Sequence, residues 1–190
     1  MDALHHSVRS FGAVALLLGS LAATFSMDPA CAAEHSEDAV KAAYLYRFAG
    51  YIDWPDRGSV ETPFIIDVLG APGIVQELRR LLPGHPVNGR VAQVREITDA
   101  RDLGSARIVY VAAGHADLLR SLLPQASSAS MLLVTDEEGG LSSGSTLNFL
   151  TVDRNVRFEV SLTAAQRCGL KISSELLGVA IRVQGRAASG

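Results

Sequence analysis

The sequence predicts an α/β fold: one domain with a mainly parallel sheet flanked by helices, extended near its C-terminus by an antiparallel hairpin. Two observations carry this. Short β-branched apolar runs alternate with stretches of helical periodicity, the pattern of a parallel sheet covered on both faces. Beyond residue 145 the pattern changes to two strands with a turn between them, which adds antiparallel strands to such a sheet. A third observation bounds the domain, because the first thirty-odd residues have a composition of their own.

Residues 1–10 are polar, with Arg9 as the firm positive charge, and residues 11–25 (FGAVALLLGSLAATF) are apolar. Ala30, Ala32 and Ala33 then supply small residues, so the three parts of a secretory signal stand in order. The apolar run is shorter than the roughly 20 residues of a membrane span. We therefore expect 1–33 to be a signal peptide cleaved near Ala32-Ala33, and 34–190 to be an exported, soluble domain. Asp28-Pro29-Ala30 does not suit Cys31 as a lipid-attachment site.

The chain holds 17 Lys+Arg against 20 Asp+Glu, a net charge of −3. Arg79-Arg80 is the one basic pair with no basic run beside it, so no nucleic-acid partner is expected. Loss of Cys31 with the signal leaves Cys168 alone, and an intrachain disulfide is then impossible. Leu162, Ala165 and Leu170 around Cys168 predict a buried thiol.

The elements follow in order. Val40, Tyr44, Phe48 and Ile52 recur every four residues and predict a helix that Trp54-Pro55 stops. Residues 64–69 (FIIDVL) form a buried strand ended by Gly70, and 74–82 a helix ended by Pro83-Gly84. Alternation at 91–97 predicts a half-buried strand. Residues 107–113 (RIVYVAA) give a strand, 116–123 a helix, and 131–134 (MLLV) a strand before the acidic turn Asp136-Glu137-Glu138. Strands at 146–152 and 156–162 form the hairpin around Asp153-Arg154-Asn155. Thr163 with Gln166 reads as a capping box and Gly169 as a helix C-cap. A last helix is expected from Ser173-Ser174 through Leu177, Ala180 and Ile181.

Catalytic chemistry is hard to find. His35, His85 and His115 share no metal-ligand spacing with each other or with a cysteine. There is no G-x-S-x-G elbow and no glycine-rich phosphate loop after a strand. Asp136–Glu138 lacks the alternation of a calcium loop. His115 and Asp117 lack a nucleophile or metal to serve. We expect no catalytic residues, no metal, no cofactor and no enzyme activity. The unusual composition is aromatic: Tyr44, Tyr46, Phe48, Tyr51 and Trp54 fall within eleven positions. Tyr46, Tyr51 and Trp54 lie off the core stripe or at its end and predict an aromatic contact surface.

Residues 41–55 (KAAYLYRFAGYIDWP) resemble the opening of the YfiR family, and the resemblance continues through 64–70 (FIIDVLG) and 87–94 (VNGRVAQV). It is strongest in 132–150 (LLVTDEEGGLSSGSTLNFL) and 155–183 (NVRFEVSLTAAQRCGLKISSELLGVAIRV). The pieces stand in the family's order behind the signal. The resemblance implies a periplasmic repressor that binds the periplasmic portion of an inner-membrane diguanylate cyclase and keeps cyclic-di-GMP low, restraining biofilm. It also implies a homodimer and capture by an OmpA-like outer-membrane lipoprotein. The alternative is a periplasmic small-ligand sensor acting on another membrane signalling protein. Arg47 stands where relatives commonly have Asn, and disulfide control cannot be carried over to one cysteine. The expected partner-binding residues are Arg157 and Glu159, on the hairpin face opposite Phe158, with Phe149, the aromatic pair Tyr51 and Trp54, and Lys171 and Glu175 beside the last helix.

Overall fold

The computed structural model describes residues 36–55 and 59–185, so the expected signal peptide and His35 lie outside the described residues. Helix α1 (Glu37–Tyr51) opens on Ser36, whose hydroxyl accepts the Ala39 N–H, with Glu37 and Asp38 in its first turn. Both features favour a helix start. The chain straightens ahead of Pro55 into the short strand β1 (Ile52–Asp53). Strand β2 (Phe64–Leu69) is buried at every position. Helix α2 (Pro72–Leu81) starts on a proline, whose missing N–H costs nothing there. Then come β3 (Ala92–Ile97), a single 3-10 turn, β4 (Ile108–Val111), α3 (Ala116–Ser128) and β5 (Leu132–Thr135). The chain finishes with β6 (Leu147–Val152), β7 (Asn155–Ser161), α4 (Leu162–Arg167), β8 (Lys171–Ile172), α5 (Ser174–Val179) and β9 (Arg182–Gln184).

Seven strands form one sheet in the order β3-β2-β4-β5-β6-β7-β9. From β3 to β6 the neighbours are parallel; β7 returns antiparallel to β6, and β9 lies parallel to β7. The chain steps from β2 outward to β3, then from β4 in the opposite direction to β5. Right-handed crossovers in opposite directions place α2 and α3 on opposite faces. The structure is therefore α/β and doubly wound, with the expected antiparallel extension. Helix α1 packs beside α2. Its Tyr44 and Phe48 rings lie 5.1–5.9 Å from those of Phe149 and Phe158. That aromatic cluster joins α1 to the hairpin half of the sheet.

Asp67 interrupts an apolar strand and is fully buried. Arg95 on β3 meets it with two hydrogen bonds, Nε to Oδ1 at 2.8 Å and Nη2 to Oδ2 at 2.7 Å. This fork geometry is the strong form of the pair. It explains the half-buried reading of 91–97: one side chain there is spent on a carboxylate inside the sheet.

Four details differ from expectation. The helix expected to end at Leu123 continues through Pro124 to Ser128, because Ala126 extends the buried stripe of Leu119 and Leu122. The cap of α4 is Ser161, whose hydroxyl accepts the Ala164 N–H, so Thr163 and Gln166 form no box at its start. The hairpin turn is two residues, Asp153 and Arg154, both at positive φ, and Asn155 already belongs to β7. The last helix stops at Val179, and Ile181 donates its N–H to Phe158 O instead. An open ladder at β7 outcompetes a helical turn already weakened by Gly178. The segment 182–184, to which the sequence pattern assigns no element, thereby becomes the edge strand β9. A two-stranded ribbon of β1 and β8 also forms, which patterning at two residues per strand cannot reveal.

Candidate functional site

The polar residues of the domain concentrate at the carboxyl ends of the parallel strands, around the loop 136–146 that links β5 to β6. Asn148 is fully buried there with every hydrogen-bonding position filled. Its Oδ1 accepts from the Thr135 hydroxyl at 2.7 Å and from the Glu137 N–H at 3.2 Å. Its Nδ2 donates to Glu137 O at 3.0 Å and to Glu159 Oε1 at 2.9 Å. Ser145, also buried, stands 3.0 Å from the Thr135 hydroxyl. The remaining carboxylate oxygen of Glu159 is taken by Arg182 of β9, whose Nε donates at 2.6 Å and whose Nη2 also reaches it.

A second cluster centres on Asp136. Its Oδ2 accepts from Lys41 Nζ at 2.7 Å and its Oδ1 from the Ala113 N–H at 2.7 Å. Lys41 also pairs with Glu37 at 2.6 Å. Burial draws the Lys41 pKa down, but the hydrogen bonds to Asp136 and Glu37 outweigh it and the net shift is upward. Tyr110, buried on β4, has its phenol pKa driven up by desolvation and by the same Asp136 carboxylate. The clusters line a cavity of about 300 Å³ with Lys41, Asp136, Glu137, Phe149, Glu159 and Arg182 on its walls.

At the point where the strand order reverses, between β2 and β4, a doubly wound sheet commonly holds its ligand. Here a Cβ at Gly70 would sit 2.7 Å from His115 Cε1, so the histidine ring lies packed over that glycine. Asp117 pairs with Arg120, so the sequence neighbours His115 and Asp117 do not act together. Among the described residues no group of three or more His, Cys, Asp or Glu is placed to hold a metal ion. No described helix is long and apolar enough to cross a membrane.

The expected contact residues divide sharply. Trp54 is 6% exposed, with its indole N–H on Ala49 O and its ring against Phe64, so it belongs to the core. Phe149 is 1% exposed inside the α1 cluster. Glu159 is also 1% exposed. It does lie opposite Phe158, but β9 and the loop 136–146 cover that face, so its carboxylate is not free to meet a partner. Tyr46 is half-buried with its ring 6.2 Å from that of His85. Tyr51, Arg157, Lys171 and Glu175 remain exposed. Tyr51 and Lys171 lie at the two ends of the β1–β8 ribbon, where Asp53 stands opposite Lys171 and Tyr51 O accepts the Ser173 N–H. Glu175 lies two residues further on; Arg157 stands apart, opposite Leu150 on the hairpin. Sequence reasoning missed Asn148 with Arg182, and Lys41 with Asp136, as two clusters lining one cavity. The available signal was polar residues at strand ends in otherwise apolar segments. Cys168 is buried, as expected, and burial pushes its thiol pKa up.

The sequence profile of the YfiR/HmsC-like family matches residues 38–181. The chain belongs to that family. The match runs from the first turn of α1 to the residue before β9, so the exposed ribbon and all of the polar network except Arg182 and Glu37 lie within it. The best-understood YfiR-like proteins are periplasmic regulators of diguanylate cyclases. No curated protein matches the chain by sequence. Among solved structures, a conserved domain protein from Vibrio cholerae O1 biovar eltor aligns with a TM-score of 0.55 at 10% identity, over 78% of this chain and 60% of that one. That likeness supports the fold alone, and this chain spans less than two thirds of the Vibrio protein's length. The ABC domain in complex with L-Trp from Streptococcus pneumonia aligns at a TM-score of 0.45 and 9% identity, over 64% and 55% of the two chains.

Proposed function

We propose that the chain is a periplasmic regulatory binding protein that represses an inner-membrane diguanylate cyclase by binding its periplasmic region. Family membership across residues 38–181 carries the reading. The chemistry of the site supports it: Lys41 is spent on Asp136 and Asn148 on Glu159, which suits a scaffold presenting a fixed surface. The exposed contacts fall on Tyr51, Lys171 and Glu175 around the β1–β8 ribbon and on Arg157 of the hairpin. Trp54, Phe149 and Glu159 act from beneath by holding that surface in shape. An export signal at 1–33 and cleavage near Ala32-Ala33 belong to the same reading, as do a homodimer and release of the cyclase by an OmpA-like lipoprotein.

Deleting the gene should raise cellular cyclic-di-GMP, and the processed protein should capture the cyclase from solubilised envelopes. Charge reversal by Arg157→Glu with Lys171→Glu should raise cyclic-di-GMP as deletion does while leaving the melting temperature unchanged. Unaltered cyclic-di-GMP on deletion, with no cyclase captured, would sink the proposal. The cavity of about 300 Å³ at the strand ends favours a second reading, a small-ligand sensor for another membrane protein. A thermal-shift screen with aromatic metabolites addresses it, since a ligand bound only by the folded state raises the midpoint.

A further inference from the structure

The main sheet ends on one side at β3, which pairs with β2 alone. In a parallel ladder, alternate residues turn both peptide groups toward the same neighbour. Phe64 N–H donates to Val91 O at 2.8 Å, so Gln93 and Arg95 spend both of their groups on β2. The N–H and C=O groups of Ala92, Val94 and Glu96 therefore point away from the sheet, and no hydrogen bond among the described residues takes them up. Proline, lysine and bulges commonly close an edge to a further strand. Residues 92–97 contain neither of those residues, and the register with β2 runs without a bulge.

Helix α2 leads from the end of β2 back to the start of β3, so its last turn stands over Ala92. A groove of about 520 Å³ lies there, lined by Arg79, Leu82, His85, Ala92 and Val94 among others. Val91 beside them is 66% exposed. No carboxylate lines the groove. Arg80 is held by Glu77 at 2.7 Å, whereas Arg79 has no ion pair among the described residues. Glu96, on the same face as Ala92 and Val94 but at the far end of the strand, has none either. The open edge is thus flanked by a free cation beside an apolar groove at its start and a free anion at its end.

We propose that the β3 edge takes an extended segment of another protein, added as an antiparallel strand whose side chains fill the α2–β3 groove. Only a backbone can satisfy outward donors and acceptors at ladder spacing; an apolar tail or a lone ring would leave them open. Charge and shape state the segment's chemistry. A basic side chain belongs opposite Glu96, and an apolar one opposite Val94. A large apolar side chain opposite Ala92 enters the groove, and an acidic one two residues further on reaches Arg79. A second copy paired about Val94 would bring Glu96 to lie opposite Ala92 instead, a short acidic chain that leaves most of an apolar groove open. This edge is at the opposite end of the sheet from β7 and β9, so a strand here and a partner on the hairpin can be held at once. Docking at β3 does not depend on repression of a cyclase and holds or fails apart from it.

The probe is a labelled, acetylated and amidated peptide, Lys-Thr-Val-Thr-Phe-Thr-Glu, titrated to about 1 mM on the processed protein and followed by anisotropy. Binding should saturate. In an antiparallel pair the residues opposite Ala92, Val94 and Glu96 exchange both bonds with β3, and those between them face away. N-methylation of the peptide's valine should therefore weaken binding about tenfold or more, and N-methylation of the threonine after it should not. Arg79→Glu should weaken binding about fivefold or more, and much less for the peptide ending in Gln. Circular dichroism confirms that this exposed helix position leaves the fold intact. The amides of Ala92, Val94 and Glu96 should exchange freely in the protein alone and become protected with peptide. Absence of binding, or equal effects of the two N-methyl groups, overturns the proposal. So does protection of those three amides without peptide, which would assign the edge to a second copy.

Discussion

Asn148 is the residue on which the strand-end network depends, because all of its amide positions are used and none is exposed. Asn148→Asp keeps the shape and replaces two donors by an acceptor facing the Glu137 carbonyl and the Glu159 carboxylate. A buried charge would then confront another with nothing between them. We expect a loss of about 3 kcal/mol or more in urea unfolding, of the size seen when a buried charged group loses its partner. Asn148→Ala should lose less, and the reverse ranking would refute the account. The sequence exposed half of this. Strand alternation put Glu159 opposite Phe158, which is correct. It could not reveal that the outward face is roofed by residues 136–146 and by Arg182, because both covers come from segments without strand or helix periodicity of their own. A similar gap turned Trp54 from expected surface into core: four-residue spacing marks a helix face, and says nothing of what a distant strand brings against its end; Phe149, expected as a contact from the resemblance, is buried in the α1 cluster instead.

The long connection from β5 to β6 is held down by close approach as well as by hydrogen bonds. A Cβ on Gly140 would stand well inside van der Waals contact with Thr135 Oγ1 and Asn148 Oδ1, both in buried side chains with no room to turn. Gly140→Ala should therefore cost about 1–3 kcal/mol, as overpacking does. Gly178 in α5 offers the contrast, since nothing lies within 4 Å of its would-be Cβ. Gly178→Ala should stabilise by roughly 0.5–1 kcal/mol through helix propensity. One substitution with opposite signs in two elements separates packing from propensity, and equal shifts in thermal midpoint would contradict both arguments. Elements were legible in proportion to the buried surface they own. Strands β2, β4 and β5, buried at every position, were placed to within a residue or two. The ribbon strands β1 and β8 and the edge strand β9 were not, because two or three residues carry no period. Strand β9 exists because β7 left a ladder open, which is a property of the sheet and not of residues 182–184.

Two groups with raised alkaline pKa values converge on one carboxylate, Asp136, apart from the buried thiol of Cys168. Tyr110 and Lys41 approach Asp136 from β4 and from α1, so the carboxylate ties the first helix to the centre of the sheet. Both groups have pKa values raised by folding: Tyr110 by burial and the facing carboxylate, and Lys41 by its hydrogen bonds to Asp136 and Glu37 against the opposing effect of desolvation. In the unfolded chain they titrate near pH 10 and 10.4. Below about pH 10 both states hold these protons and the stabilisation is fully present. Above it the unfolded chain releases them while the folded chain keeps them, so unfolding becomes easier as pH rises. Each group contributes a slope of up to about 1.4 kcal/mol per pH unit in that window. Urea unfolding at pH 8, 9, 10 and 11 should give a near-level limb from these groups up to about pH 9.5 and a fall beyond it. Tyr110→Phe lowers stability at pH 8 through the lost hydroxyl, yet its alkaline fall should be shallower than that of the wild type. Lys41→Met should likewise flatten the limb, at the larger cost of leaving Asp136 without its cation. Parallel alkaline limbs in all three proteins would mean that α1 is held to the sheet by the aromatic cluster of Tyr44, Phe48, Phe149 and Phe158 alone.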